Sequence, residues 1–213
     1  MAYTFREICV PVLALIFGGA GFIICNVITN SMFWRVWHYD NTNISTIWLG
    51  LWNFCYQPRD PSNPTAILDK VCIRMSLTWE FPGEISLSQD LMSLATVLEG
   101  VGLLFTFVGF LCTLKEEPCS EFYHCFQIGG TFLTVGCLIV IGTLSWNFYL
   151  DSVSRPLSYP REFPLQDQPE DRDIGPALPL GSVSSLFGLQ SGALLITHGC
   201  SVRAVSEMSS VQV

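Results

Sequence analysis

Trp48-Leu49-Gly50-Leu51-Trp52-Asn53-Phe54-Cys55, followed by a second cysteine at Cys72, is the stretch whose reading decides the fold. It lies between the first two of four long apolar segments, which sets it in a loop between membrane spans rather than in a soluble core. Four segments approach or meet the roughly 20 apolar residues needed to cross about 30 Å of hydrocarbon. Residues 8–28 and 125–145 carry no charge, and residues 91–114 are apolar except for Glu99. The fourth, residues 174–196, is rich in Ser and Gly and holds Pro176 and Pro179. A firm helix is expected there from about Leu180, with the two prolines in the turn that precedes it.

The bulk composition agrees with spans. Half of the 213 residues are hydrophobic, mean hydropathy is +0.43 and 13% are charged, against about 25% in a typical soluble domain. A net charge of -8 argues against nucleic acid, which needs a basic footprint. The first apolar segment is too long for a signal-peptide core, and no small-residue cleavage site follows it before Asn30, so it reads as a retained span. There are no internal repeats, and one domain, residues 1–213, is expected: spans at 8–28, 91–114, 125–145 and 174–196, loops at 29–90 and 147–173, and a tail at 197–213.

Orientation rests on the loops. Basic residues do not decide it, because seven of the ten lie in the two long loops and only Arg6, Lys115 and Arg203 lie elsewhere. Cys55 and Cys72 form a loop disulfide only in an oxidising compartment. Asn43-Ile44-Ser45 is a glycosylation sequon in that loop, whereas the proline in Asn63-Pro64-Thr65 disqualifies the other. Both ends of the four-span chain are therefore expected in the cytosol. Val211-Gln212-Val213 then presents a hydrophobic-x-hydrophobic ending of the kind PDZ domains bind by strand addition, so a PDZ scaffold is an expected partner.

A loop of sixty residues is too long for a bare connection. Phe33-Trp34-Arg35-Val36-Trp37-His38-Tyr39 and residues 47–56 are rich in aromatic and β-branched residues and read as strands. Asp40-Asn41-Thr42-Asn43 and Pro58-Arg59-Asp60-Pro61-Ser62-Asn63-Pro64 read as turns. A third strand at 71–77 brings Cys72 beside Cys55, and a bridge there closes a loop of about 16 residues, contributing roughly 3 kcal/mol on the chain-entropy estimate. Two readings are open for Trp48 and Trp52: aromatic anchors at headgroup level, or a plug packing the sheet onto helix ends, with Gly50 allowing close backbone approach. The Gly-Leu-Trp-x-x-Cys context favours the plug.

Taken together, Trp34-Arg35 after the first span, Gly50-Leu51-Trp52 with Cys55 and Cys72, and Leu87-Ser88-Gln89-Asp90-Leu91 entering the second span resemble the claudin signature. Ser145-Trp146 leaving the third span and Gly192-Ala193-Leu194-Leu195 in the fourth are similar to later claudin landmarks. The resemblance runs nearly the whole length. It implies a left-handed bundle of four transmembrane helices with a small extracellular antiparallel β-sheet, at the plasma membrane in tight junctions. It also implies partners of the same family, in the same and in the apposing membrane, building a paracellular barrier or channel. The chain departs from the pattern in the wider spacing of its two cysteines, an acidic short loop at 115–124, the acidic run at 167–173 and the absence of an arginine just inside the second span. A divergent member is the expectation. An auxiliary tetraspan of the channel γ-subunit type, modulating a partner in one membrane, is the second reading, and a myelin- or epithelial-membrane-type adhesion protein the third.

Other residues carry separate expectations. Glu99 lies about eight residues, roughly 12 Å, inside its span, where an ionisable side chain is a functional candidate. The plainer reading is a side chain facing the bundle, met by Ser182, Ser184 or Ser185. Ser184-x-x-x-Gly188-x-x-x-Gly192 and Ala177-x-x-x-Gly181-x-x-x-Ser185 are small-residue ridges for close helix packing. Cys119 and Cys200 are juxtamembrane palmitoylation candidates. Cys119, His124 and Cys125 are too few for a closed zinc site, so no metal is expected. His38, His124 and His198 lie in separate loops or the tail, with no nucleophile–base constellation. An enzyme is not expected, and no cofactor is implied.

Overall fold

A computed structural model describes residues 5–39, 44–60, 63–75, 83–114, 123–153 and 169–211. Its helices are α1 (Phe5–Thr29), α2 (Gly83–Leu114), α3 (Tyr123–Ser152) and α4 (Ala177–Val211). Its strands are β1 (Arg35–His38), β2 (Ile44–Leu49), β3 (Asn53–Asp60), β4 (Asn63–Ile67), β5 (Val71–Arg74) and β6 (Asp171–Ile174). All four helices are long and apolar enough to cross a membrane. The chain divides into two compact units, one formed by Met1–Cys25, Leu94–Ile141 and Ser182–Val213, the other by Asn26–Ser93 and Gly142–Gly181.

The first unit is helical. Ala14, Phe126, Leu133 and Leu195 form its buried centre. Outward, Ile16, Val97, Leu104, Leu138 and Leu186 are each more than half exposed, one from α1, two from α2 and one each from α3 and α4. Apolar exposure on every helix suits a lipid solvent, since water-soluble monomers rarely show such surface. With lipid outside, burial of apolar side chains does not drive the helices together, and close backbone packing with interhelical hydrogen bonds takes over. Ser184 Oγ donates to the Gly21 carbonyl at 2.7 Å, and Ser191 Oγ to that of Ala14 at 2.7 Å, tying α4 to α1. On α4's other flank a Cβ at Gly188 would collide with Cys137 Sγ of α3. The 184–188–192 ridge is thus spent inside the unit.

The second unit holds the sheet and the helix ends beside it. The strand order is β6-β1-β2-β3, every neighbour antiparallel. β3 changes partner along its length: Asn53–Tyr56 pairs with β5, while Arg59 and Asp60 pair with β4. Trp37, Tyr39, Ile47, Leu49, Phe54 and Met75 pack with Ile85 of α2 as the core of this unit.

Three expectations change. The apolar run 47–56 is not one strand: it breaks after Leu49 into β2 and β3, and Gly50 N–H bonds the Asn53 carbonyl at 2.9 Å to close a hairpin whose tip is Leu51-Trp52. The proline-rich 58–64 is strand at both ends: Pro58 lies in β3 opposite Ile44 of β2, and Pro64 lies in the edge strand β4, where a missing N–H is tolerated. The helix expected from about Leu180 begins at Ala177, with Pro179 in its first turn, where an N–H has no helical partner to lose. Two helix ends also run past the expected spans: α2 starts at Gly83 and α3 continues to Ser152. Backbone of α4 stays helical to Val211, through most of the expected tail.

Candidate functional site

The signature residues meet in the second unit, and each is placed by a neighbour of a definite kind. Trp34, 2% exposed, follows the end of α1 and folds back so that its indole N–H donates to the Ile28 carbonyl at 2.8 Å. That bond satisfies one of the carbonyls a helix C-terminus leaves unpaired. Gly50 lies against the Ser31 carbonyl, and a Cβ there would sit 2.7 Å from Met32 Cα. No other residue fits that approach without moving the backbone.

At the hairpin tip, Leu51 is 2% exposed and its carbonyl accepts a 2.6 Å hydrogen bond from Gln89 Nε2 of α2. Trp52 is only partly buried. The residue that plugs the sheet onto the helix is therefore Leu51, while Trp52 and Trp48 keep part of their rings exposed. Lys70 Nζ lies 5.1 Å from the Trp48 ring centroid and 5.6 Å from that of Phe33, within range of cation–π attraction.

Cys55 and Cys72 are joined by a disulfide. They are register partners on β3 and β5, and Asn53↔Arg74 is the pair two residues along on the same face. Cys55 Sγ is 3.3 Å from Met32 Sδ, so the segment between α1 and β1 crosses this disulfide face.

Arg35, which the sequence offered only as a landmark, is 4% exposed. Its Nη2 donates to Asn147 Oδ1 of α3 at 3.0 Å, and Asn147 Nδ2 donates to Ser88 Oγ of α2 and to the Thr143 carbonyl, each at 2.9 Å. Ser88 Oγ in turn donates to the Glu84 carbonyl at 2.8 Å. Beside this chain, Trp37 Nε1 donates to Asp151 Oδ1 at 3.3 Å. Ser88 and Gln89 both stand in the Leu87-Ser88-Gln89-Asp90-Leu91 landmark, a signal that could have marked them as contacts of the sheet. Asn147 and Asp151 had no signal, since they fall beyond the expected span.

The second long loop enters the site through β6. Arg35↔Ile174 and His38↔Asp171 are register pairs, and His38 Nε2 and Asp173 Oδ2 lie 3.2 Å apart. Arg172 lies over the Trp37 ring at 5.5 Å.

Glu99 belongs to the other unit. It is 2% exposed; its Oε1 accepts from Cys137 Sγ at 3.6 Å, and its Oε2 has no hydrogen-bond partner among the described residues. Ser184, one of its expected partners, spends its hydroxyl on Gly21 instead. Cys200 is exposed, with its Sγ 3.5 Å from Gln127 Nε2. Asn43, Cys119, Gln212 and Val213 lie outside the described residues, and Val211 is described only as the last residue of α4. Among the described residues no cluster of His, Cys, Asp or Glu suits a metal ion.

No family model matches the sequence. Individual proteins do. Claudin-2 of Canis lupus familiaris is 28% identical over 167 residues, covering 76% of this chain and 66% of that protein. Claudin-4 of the same organism is 27% identical over 175 residues, covering 80% and 76%. Claudin-3 of Homo sapiens is 24% identical over 192 residues, covering 89% and 80%. The match to the Claudin-2 relatives spans 66% of their length.

Proposed function

We propose that this chain, similar to claudins over most of its length, is a divergent claudin and a tight-junction membrane protein. It contributes to cell–cell adhesion and to the paracellular barrier or paracellular ion permeability. The observation that carries this reading is the Gly50-Leu51-Trp52 hairpin tip, held on α2 by Gln89 in a sheet closed by the Cys55–Cys72 disulfide. Such a sheet is small, and a covalent staple together with helix-end hydrogen bonds supplies the rigidity that its thin core lacks. Rigidity is what a surface needs if it is to pair with a copy of itself on an apposing cell, because ordering loops on contact costs affinity.

Its partners are membrane lipid and claudin-type proteins, in the same membrane and across the intercellular gap. Cys200, with its exposed thiol, is the described candidate for S-acylation. Expression of the full chain in fibroblasts that lack junctions tests the assignment. Enrichment at cell–cell contacts with strands in freeze-fracture replicas is the expected result. Diffuse surface staining that is indifferent to contact overturns it and leaves the single-membrane auxiliary role.

A further inference from the structure

Asn30, Trp52, Asn53 and Arg74 line an open recess of about 440 Å³ in the sheet-containing unit. Among the described residues its lining is one guanidinium, one indole and two carboxamides. The side chains of Trp52, Asn53 and Arg74 make no hydrogen bond or ion pair with the described residues. Arg74 is exposed within β5, and among the described residues no ion pair engages it. A planar fork of N–H donors beside amide donors matches the oxygens of a phosphate better than any neutral ligand.

The depth of the recess narrows the source of that phosphate. Asn30 follows Thr29, the last residue of a 23-residue span beginning at Glu7, so this part of the lining is at the level where hydrocarbon gives way to headgroups. Trp52 is partly exposed, and tryptophan is a side chain enriched at that level. The covalent structure holds the arrangement in register. Cys55↔Cys72 and Asn53↔Arg74 are successive pairs on one face of β3 and β5, so the disulfide keeps Arg74 opposite Asn53. The Trp52 carbonyl meanwhile accepts from Met75 N–H at 2.9 Å.

We propose that this recess binds the phosphate of a membrane phospholipid headgroup, with Arg74 as the anion's partner and Trp52, Asn53 and Asn30 around it. The proposal depends on α1 crossing the membrane and not on the tight-junction role. With a net charge of -8, the chain as a whole repels anions, so its general field does not supply the attraction.

The full disulfide-bonded chain in neutral detergent would be titrated with dihexanoyl phosphatidylglycerol and, separately, with inorganic phosphate, and adducts counted by native mass spectrometry. Wild type is expected to bind the lipid, and Arg74→Gln to bind it about tenfold more weakly or worse, as loss of a charge-assisted contact implies. Arg203→Gln, which removes the same charge elsewhere, is expected to stay within about twofold. Should Arg74→Gln fail to form the disulfide, Arg74→Lys keeps the charge without the fork and is expected to fall between the two. Competition by inorganic phosphate supports the phosphate as the recognised group. Equal lipid binding by wild type and the Arg74 variant overturns the proposal. So does equal weakening by Arg74→Gln and Arg203→Gln. Binding of inorganic phosphate without lipid reassigns the recess to a free anion and overturns the headgroup assignment.

Discussion

Arg35 has been taken out of water at 4% exposure, with the carboxamide oxygen of Asn147 as its hydrogen-bond acceptor. A guanidinium in that position depends on its acceptor, because breaking a buried contact to a charged group leaves the charge uncompensated. Asn147→Leu is expected to destabilise the chain by about 2–4 kcal/mol, read as a drop in the thermal-unfolding midpoint in detergent. Asn147→Asp keeps Oδ1 for Arg35 and loses the donor to Ser88 and Thr143, so its drop should be less than half as large. An equal drop in both variants would show that Asn147 matters to Ser88 and Thr143 and not to Arg35. Much about single residues was legible in the sequence where the partner lay nearby or the chemistry was unusual: Trp34, Gly50 and the two cysteines all stood out. Arg35 did not, because its acceptor lies 112 residues away and no local pattern links a strand arginine to a helix asparagine.

Elements were legible in proportion to how regular their environment is. Four apolar segments gave four helices, since lipid imposes one requirement along the whole length of a span. The hairpin at Gly50-Leu51-Trp52 hid inside an apolar run, because its tip residue Leu51 is buried and carries none of the polar character of an exposed turn. β6 was hidden for the opposite reason. Asp171-Arg172-Asp173 is poor strand material by propensity, and it is strand because β1 offers an edge for pairing. The α4 ridge was visible by spacing, and its partner was not. Gly188 abuts Cys137 of α3 so closely that Gly188→Ala must displace the thiol or the helix. Overpacking of this kind costs about 1–3 kcal/mol. Gly188→Ala should therefore lower the unfolding midpoint, and in a Cys137→Ala background, which removes the atom in the way and already lacks the Glu99 contact, the further drop should be less than half as large. Additive losses in the double variant would mean the two positions are independent and would remove the helix contact from the account.

At the scale of the whole molecule, the sheet and its disulfide carry a statement about compartment. Cys55 and Cys72 are bonded, and a structural disulfide persists where the surroundings are oxidising. Asn43 lies in the same loop, between β1 and β2, in the sequon Asn43-Ile44-Ser45. Four spans place loop 29–90 and loop 147–173 on one side, and β6 pairing with β1 puts residues of both loops in one sheet. The disulfide and the sequon ask for the non-cytosolic face and the shared sheet puts both loops on one side, while the basic residues, concentrated in these same loops, do not ask for it. Digestion with an N-glycosidase separates these signals. The expected outcome is a downward mobility shift for the wild-type chain expressed in animal cells, absent in Asn43→Gln and unaffected by changing Asn63. A glycan at Asn43, in the segment that joins β1 to β2, would hinder head-to-head contact of two sheets there, so a fully glycosylated population predicts contact enrichment that rises in Asn43→Gln. If the wild-type chain instead shows no shift, and a membrane-impermeant alkylating reagent applied to intact cells after reduction leaves Cys55 and Cys72 unlabelled, the loops face the cytosol. The orientation, and with it any adhesive role for the sheet, would then be wrong.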